Sequence, residues 1–257
     1  MAEREAAVFT LTESPGKFVI LLILFAFCIL WETVELGRAK TVPQRVSVGL
    51  HWVMAVVMFL MIPGPTWQAL IAVIPIPALT VLFGLAAVWF TVRLVIDVRR
   101  EGTAHLGHAL SHTVMFWTMT WHLGAMAVHR SLRTASSSAM TTGHNHGGHG
   151  MAHGHGHGTA MSAMQQAAAP GGTLWVLALI GIFLLGFLLW ASIRDLIAAV
   201  RGIPGASHAT VDAAEGGRGT LYYRLSALSS FAMNFGMVLM SLGLLAPIVP
   251  VLGRLNF

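Results

Sequence analysis

Histidine and methionine recur along one stretch of this chain at His105, His108, His112, Met115, Met119, His122, Met126 and His129, spaced alternately by three and four residues. That spacing places all eight on a single face of an α-helix. Imidazole and thioether are the uncharged side chains that bind soft and borderline metals, with copper foremost. Two further stretches carry the same chemistry: His51, Met54, Met58 and Met61, and then Met233, Met237 and Met240, with Asn234 beside the first. A fourth concentration, His144, His146, His149, His153, His155 and His157, lies in the Gly-rich run HNHGGHGMAHGHGHG. Glycine between the imidazoles lets several reach one ion, and neutral imidazole suits copper, zinc or nickel.

The elements that carry these residues are set by composition. Of 257 residues, 56% are hydrophobic and 10% charged, against roughly 25% charged in soluble domains. The mean hydropathy is +0.73. This is the composition of an integral membrane protein. Apolar runs long enough to cross a bilayer lie at 17–37, 46–63, 76–98, 104–129, 173–200 and 220–246. The expected architecture is all-α, a polytopic bundle of about six transmembrane helices. Trp67 to Ile76, between prolines, reads as a short interfacial or re-entrant piece. The N-terminal run lacks a basic lead and a small-residue cleavage site, so it reads as a retained helix.

The net charge of +5 and pI near 10.3 come from Lys and Arg at the ends of apolar runs. They are topology signals and exclude a nucleic-acid face. Ten of them, from Arg38, Lys40 and Arg45 to Arg218 and Arg224, fall on one side. The positive-inside rule puts that side in the cytoplasm, with both termini outside. The chain then divides into helices one to four (1–130), an extracytoplasmic His/Gly/Met-rich disordered loop (131–172), and helices five and six (173–257). A single cysteine, Cys28, excludes an intrachain disulfide framework.

Counting inward from the cytoplasmic ends brings His51 level with His108 and His112. Met54 and Met58 fall level with Met115 and Met119, and the Met233–Met240 stripe lies near Met119 to Met126. From His105 to His129 the stripe rises about 36 Å, against a hydrocarbon core of about 30 Å. An ionisable group at that depth points to function. A period of 3.5 is also how membrane helices pack, and methionine fills gaps well, so a packing seam is the competing reading. Cys28, Glu32 and Glu35 share one face of the first helix. His105, His108 and Arg93 are the expected partners of the carboxylates. The pairs Arg93–Asp97 and Arg194–Asp195 read as ordinary charged helix ends. No nucleophile elbow, phosphate loop or catalytic carboxylate pair is present, and no enzyme activity is expected.

The segments LHWVMAVVMFLM, ALSHTVMFWTMTWHLGAM and SFAMNFGMVLMSLG resemble an actinobacterial family of integral membrane proteins classed as domain of unknown function 5134. That resemblance implies multi-pass helices with recurrent Met. It would carry over to His112, Met115, Met119 and Met126, to Met54, Met58 and Met61, and to Met233, Met237 and Met240; His122 stands where Met is more usual. The family has no settled activity. A thinner resemblance joins RVSVGLHWVMAVVM to the opening helix of bacterial b561-type cytochromes. It implies a b-type haem between His51 and His108 or His112, although this chain has six expected helices where those proteins have four.

The expectation is therefore a cell-membrane protein that handles copper by binding, sensing or transport, with zinc or nickel as further candidates at the loop. Its partners would be the lipid bilayer, the metal ion and a periplasmic or membrane metalloprotein, with no nucleic acid. A haem redox protein and a structural subunit with packing methionines are the alternatives.

Overall fold

The computed structural model describes residues 15–101, 106–141, 171–202 and 220–245, with two isolated positions at 167 and 169. The side chains of Glu101, His108, Arg133 and residues 135–141 fall outside that description. So do His105 and the loop cluster His144–His157. Among the described residues every regular element is a helix: α1 (Pro15–Arg38), α2 (Val42–Met61), α3 (Gly64–Val73), α4 (Ile76–Glu101), α5 (Leu106–Thr141), α6 (Thr173–Arg201) and α7 (Thr220–Leu245).

The helix boundaries follow from local chemistry. Thr41 caps α2 by accepting a hydrogen bond from the Gln44 amide, and Pro43 occupies the first turn, where a missing N–H is harmless. α6 ends at Gly202, whose left-handed φ of 65° suits glycine. Pro63 and Pro65 break the chain after α2. The ten-residue α3, capped by Pro63 with Pro65 in its first turn and ended at Ile74, is about 15 Å long, too short to span.

Among the described residues five helices are long and apolar enough to cross a membrane: α1, α2, α4, α6 and α7. α5 is the longest, at 36 residues, but does not join them, because His, Ser and Thr dilute its apolar face. Its position supplies the reason. α5 packs against α4, α6 and α7, and Ser111, Thr113, Thr118 and His122 are buried in protein. Polar residues at membrane depth are tolerated when they face the bundle interior. α5 also runs on to Thr141, so residues 131–141 are helical where a disordered loop was expected to begin.

Neighbouring helices in sequence form three hairpins, α1–α2, α4–α5 and α6–α7, and α1 closes the bundle against α7. Two glycines permit close approach. A Cβ on Gly181 of α6 would collide with the indole of Trp121, and one on Gly236 of α7 with the ring of Phe25. The outer surfaces of α1, α4 and α6 remain apolar and exposed, with Ile23, Leu30, Leu85 and Phe183 among the most accessible, as a lipid-facing surface requires.

Candidate metal site and its cavity

His51, on α2, is buried among aromatic rings. It meets Phe90 and Phe116 edge-on at centroid distances of 5.0 and 5.1 Å. Its Nδ1 lies 2.8 Å from the Ser47 carbonyl oxygen. A carbonyl only accepts, so His51 carries its proton on Nδ1 and presents a lone pair at Nε2. That lone pair lies 2.7 Å from Nδ1 of His112 on α5, and His112 Nδ1–H must therefore donate to it. The α2 and α5 stripes meet at this pair.

Met115 and Met233 share a cavity wall with it, and further methionines fill the helical core. Met54, Met58, Met61, Met115, Met119, Met233, Met237 and Met240 are all buried and belong to one apolar core, with Met126 packed partly buried against it. Further along α5, His122 Nδ1 is 2.9 Å from Ser241 Oγ, and the Ser241 hydroxyl donates to Met237 Sδ at 3.7 Å. With the hydroxyl hydrogen used there, His122 Nδ1–H is the donor to Ser241. His129 is half-buried at the far end of the stripe.

A cavity of about 650 Å³ reaches the His51–His112 pair. His51, His112, Met115, Met233 and Asn234 line its inner end. Ser47, Glu32, Ser226 and Ser230 line its middle, and Glu35, Thr41, Gln44, Arg93 and Tyr222 its mouth. The mouth lies at the Arg-rich end of the bundle, where α1 ends and α2 and α7 begin.

The carboxylates find other partners than expected. Tyr222 donates its hydroxyl to Glu35 at 2.9 Å, and Arg38 lies 3.5 Å from the same carboxylate. Ser229 donates to Glu32 at 3.5 Å, and the Cys28 thiol points at the Ser229 carbonyl. Arg93 pairs with Asp97 at 3.9 Å. His105 and the His108 side chain lie outside the described residues. α7 supplies these partners because it packs directly on α1.

Asp195 is likewise more than a charged helix end. It is buried, bonded to its neighbour Arg194 at 2.7 Å, and accepts from Asn234 Nδ2 at 3.1 Å. Asn234 Nδ2 also reaches Ser111 Oγ at 3.3 Å. One amide thus ties α5, α6 and α7 together behind the histidine pair. Depth counting missed this network. The nearest signal was Asn234, a polar residue embedded in the Met stripe of α7.

The geometry limits what can bind. Among the described residues no group of three His, Cys, Asp or Glu side chains could hold a metal. A centre at the pair must then draw on the Met115 or Met233 thioether. Two nitrogens on one tetrahedral ion with bonds of about 2.0 Å stand about 3.3 Å apart. The 2.7 Å separation is that of a hydrogen bond, so an ion would enter by replacing the shared proton and parting the rings slightly. Haem fits worse. Axial nitrogens across an iron stand about 4 Å apart, and ring centroids only 4.5 Å apart leave no slot for a porphyrin between His51 and His112.

A family model described as domain of unknown function (DUF5134) matches residues 43–244, a span that runs from the first turn of α2 to the last turn of α7 and includes the pair and the Asn234 network, but not the α1 residues Trp31, Glu32 and Glu35 of the cavity wall. No curated protein and no solved structure matches the chain.

Proposed function

The chain belongs to the DUF5134 family, and we propose that it is a multi-pass membrane protein that binds copper(I) where His51, His112, Met115 and Met233 meet. One observation carries the reading: a buried imidazole, His51, and the half-buried imidazole bonded to it, His112, share the inner end of a cavity with two thioethers. Thioether sulfur is a soft ligand that favours Cu(I), while zinc prefers thiolate, imidazole and carboxylate sets. His51 is already oriented by Ser47 and offers its Nε2 lone pair. His112 would contribute a nitrogen once its Nδ1 proton has left.

The cell membrane is the proposed location, with the His-rich segment on the outer side. That segment would collect copper, zinc or nickel. His129, Met126 and His122 would form an outer relay. Several weak sites in series would permit transfer across the bilayer, with a periplasmic or membrane metalloprotein as donor or acceptor. The proposed role is binding and handling of the ion, without catalysis.

The test is a competition titration of the detergent-purified, untagged protein with a chromophoric Cu(I) chelator, beside elemental analysis. The expected result is about one tightly held Cu(I) per chain, lost in His51→Ala and weakened in the Met115→Leu/Met233→Leu double variant. Equal copper content in the wild type and the double variant would sink the assignment.

A further inference from the structure

Two buried polar side-chain atoms among the described residues have no hydrogen-bond partner, Asn234 Oδ1 and Glu35 Oε1, the latter with the Arg38 guanidinium 3.5 Å away as an ion-pair contact. Both belong to residues that line the same cavity. Glu35 stands at its mouth, level with Tyr222. Asn234 stands at its inner end, twelve residues further along α7 and therefore about 18 Å deeper. Both atoms are acceptors; Glu35 Oε1 has the Arg38 charge beside it, whereas Asn234 Oδ1 has no donor, and a buried acceptor without a donor is costly. Cu(I) on imidazole and thioether would not satisfy either of them, because both are hard oxygens. Water or a hydrated cation would.

The wall between them is mixed, with polar groups set among Trp31, Pro43, Val48 and Phe90. Ser47, Ser226 and Ser230 supply hydroxyls along its length, and Glu32 and Glu35 supply carboxylates. The one guanidinium in the wall, Arg93, is engaged with Asp97; Arg38 lies beside Glu35 outside the wall. Polar side chains in a membrane bundle face a water-filled space or one another. Past the histidine pair the lining changes abruptly. Phe116, Met119 and Leu123 follow Met115 on α5, and all are fully buried in apolar packing with Met58 and Phe83.

We propose that this cavity is a one-sided aqueous half-channel for small hydrated cations, running from the Arg-rich end of the bundle to His51 and His112 and stopped there by the packed Phe116–Met119 layer. It gives the copper site a route from the side opposite the His-rich segment, yet it stands on the cavity alone. Low-dielectric walls focus the field of Glu32 and Glu35 into the cavity, against the opposing charges of Arg38 and Arg93, and favour cations over anions where the carboxylates prevail.

The test labels introduced thiols in membrane vesicles of both orientations. The background is Cys28→Ala, which removes the native thiol. Ser226→Cys and Ser230→Cys lie in the cavity wall, and Ser241→Cys lies on the same helix beyond the plug. The probes are the impermeant trimethylammonium-ethyl and sulfonatoethyl methanethiosulfonates. Both wall positions are expected to react from one face only, with the cationic reagent faster by at least about 10-fold after correction for intrinsic reactivity. Ser241→Cys is expected to resist reagent from that face. Reaction at Ser226→Cys alone, reaction from both faces, equal rates for the two reagents, or no reaction at all would each overturn the proposal. Labelling needs no metal. A protein that labels as expected but holds no copper therefore keeps the half-channel and loses the copper site, and the reverse result does the opposite.

Discussion

His51 and His112 stand 61 residues apart in sequence and share one proton across 2.7 Å. Neither ring is simply buried. His51 donates to the Ser47 carbonyl and accepts from His112, so loss of His112 strands an acceptor among Phe90 and Phe116. His112→Leu is expected to destabilise the metal-free protein by about 1–3 kcal/mol. The His51→Leu/His112→Leu double variant should lose less than the sum of the two single variants, with a coupling of about 0.5–3 kcal/mol. Thermal unfolding in detergent under chelation reads this directly, and strictly additive losses would show that the rings do not interact.

Asn234 occupies the junction of three helices, and its donors are aimed. Asn234→Asp replaces the amide N–H groups that serve Asp195 and Ser111 with an acceptor facing an acceptor. The expected loss is about 1–3 kcal/mol. Asp195→Asn combined with Asn234→Asp restores a donor–acceptor pair with the polarity reversed, and should recover a measurable part of that stability. A double variant no more stable than Asn234→Asp would remove the hydrogen bond from the account.

Helix periodicity and depth counting suffice to bring His51 level with His112, because side-chain phase and rise per residue are fixed by the α-helix itself; they set the Met233–Met240 stripe near Met119 to Met126, whereas Met233 shares a cavity wall with Met115. Periodicity does not say which helix faces which. Glu35 bonds to Tyr222, and Glu32 to Ser229, because α1 packs on α7, a fact of tertiary packing with no local signature. Asp195 looked like a charged helix end because Arg194 precedes it; its burial depends on Asn234, 39 residues away. The extension of α5 to Thr141 is the opposite case. Ser, Thr and Ala carry no breaker there, and the helix continues past the apolar stripe to Thr141.

Close helix approach at two glycines gives a packing prediction. Gly181→Ala and Gly236→Ala force a methyl into the rings of Trp121 and Phe25, and each is expected to cost about 1–3 kcal/mol. Gly49→Ala meets nothing within 4 Å and should be neutral or stabilising, by up to about 1 kcal/mol from helix propensity. Melting temperatures of the three variants, measured in one detergent, would reveal a misplaced helix if Gly49→Ala proved the worst of them.

The methionines divide by what surrounds them. Met58 and Met119 sit fully buried in apolar packing, outside the cavity wall, whereas Met115 and Met233 line the cavity at the histidine pair. Leucine is close to methionine in volume, and such exchanges usually cost less than about 1.5 kcal/mol. Met58→Leu/Met119→Leu is therefore expected to keep both fold and copper content. Met115→Leu/Met233→Leu should keep the fold and lose copper affinity by about tenfold or more, corresponding to about 1.4 kcal/mol or more of binding free energy. Leucine matches the shape of methionine and lacks its sulfur, so the comparison separates packing from coordination. If both double variants lose copper equally, sulfur deep in the core takes part in binding and the site extends past the cavity. If neither loses any, the methionines pack and do not coordinate.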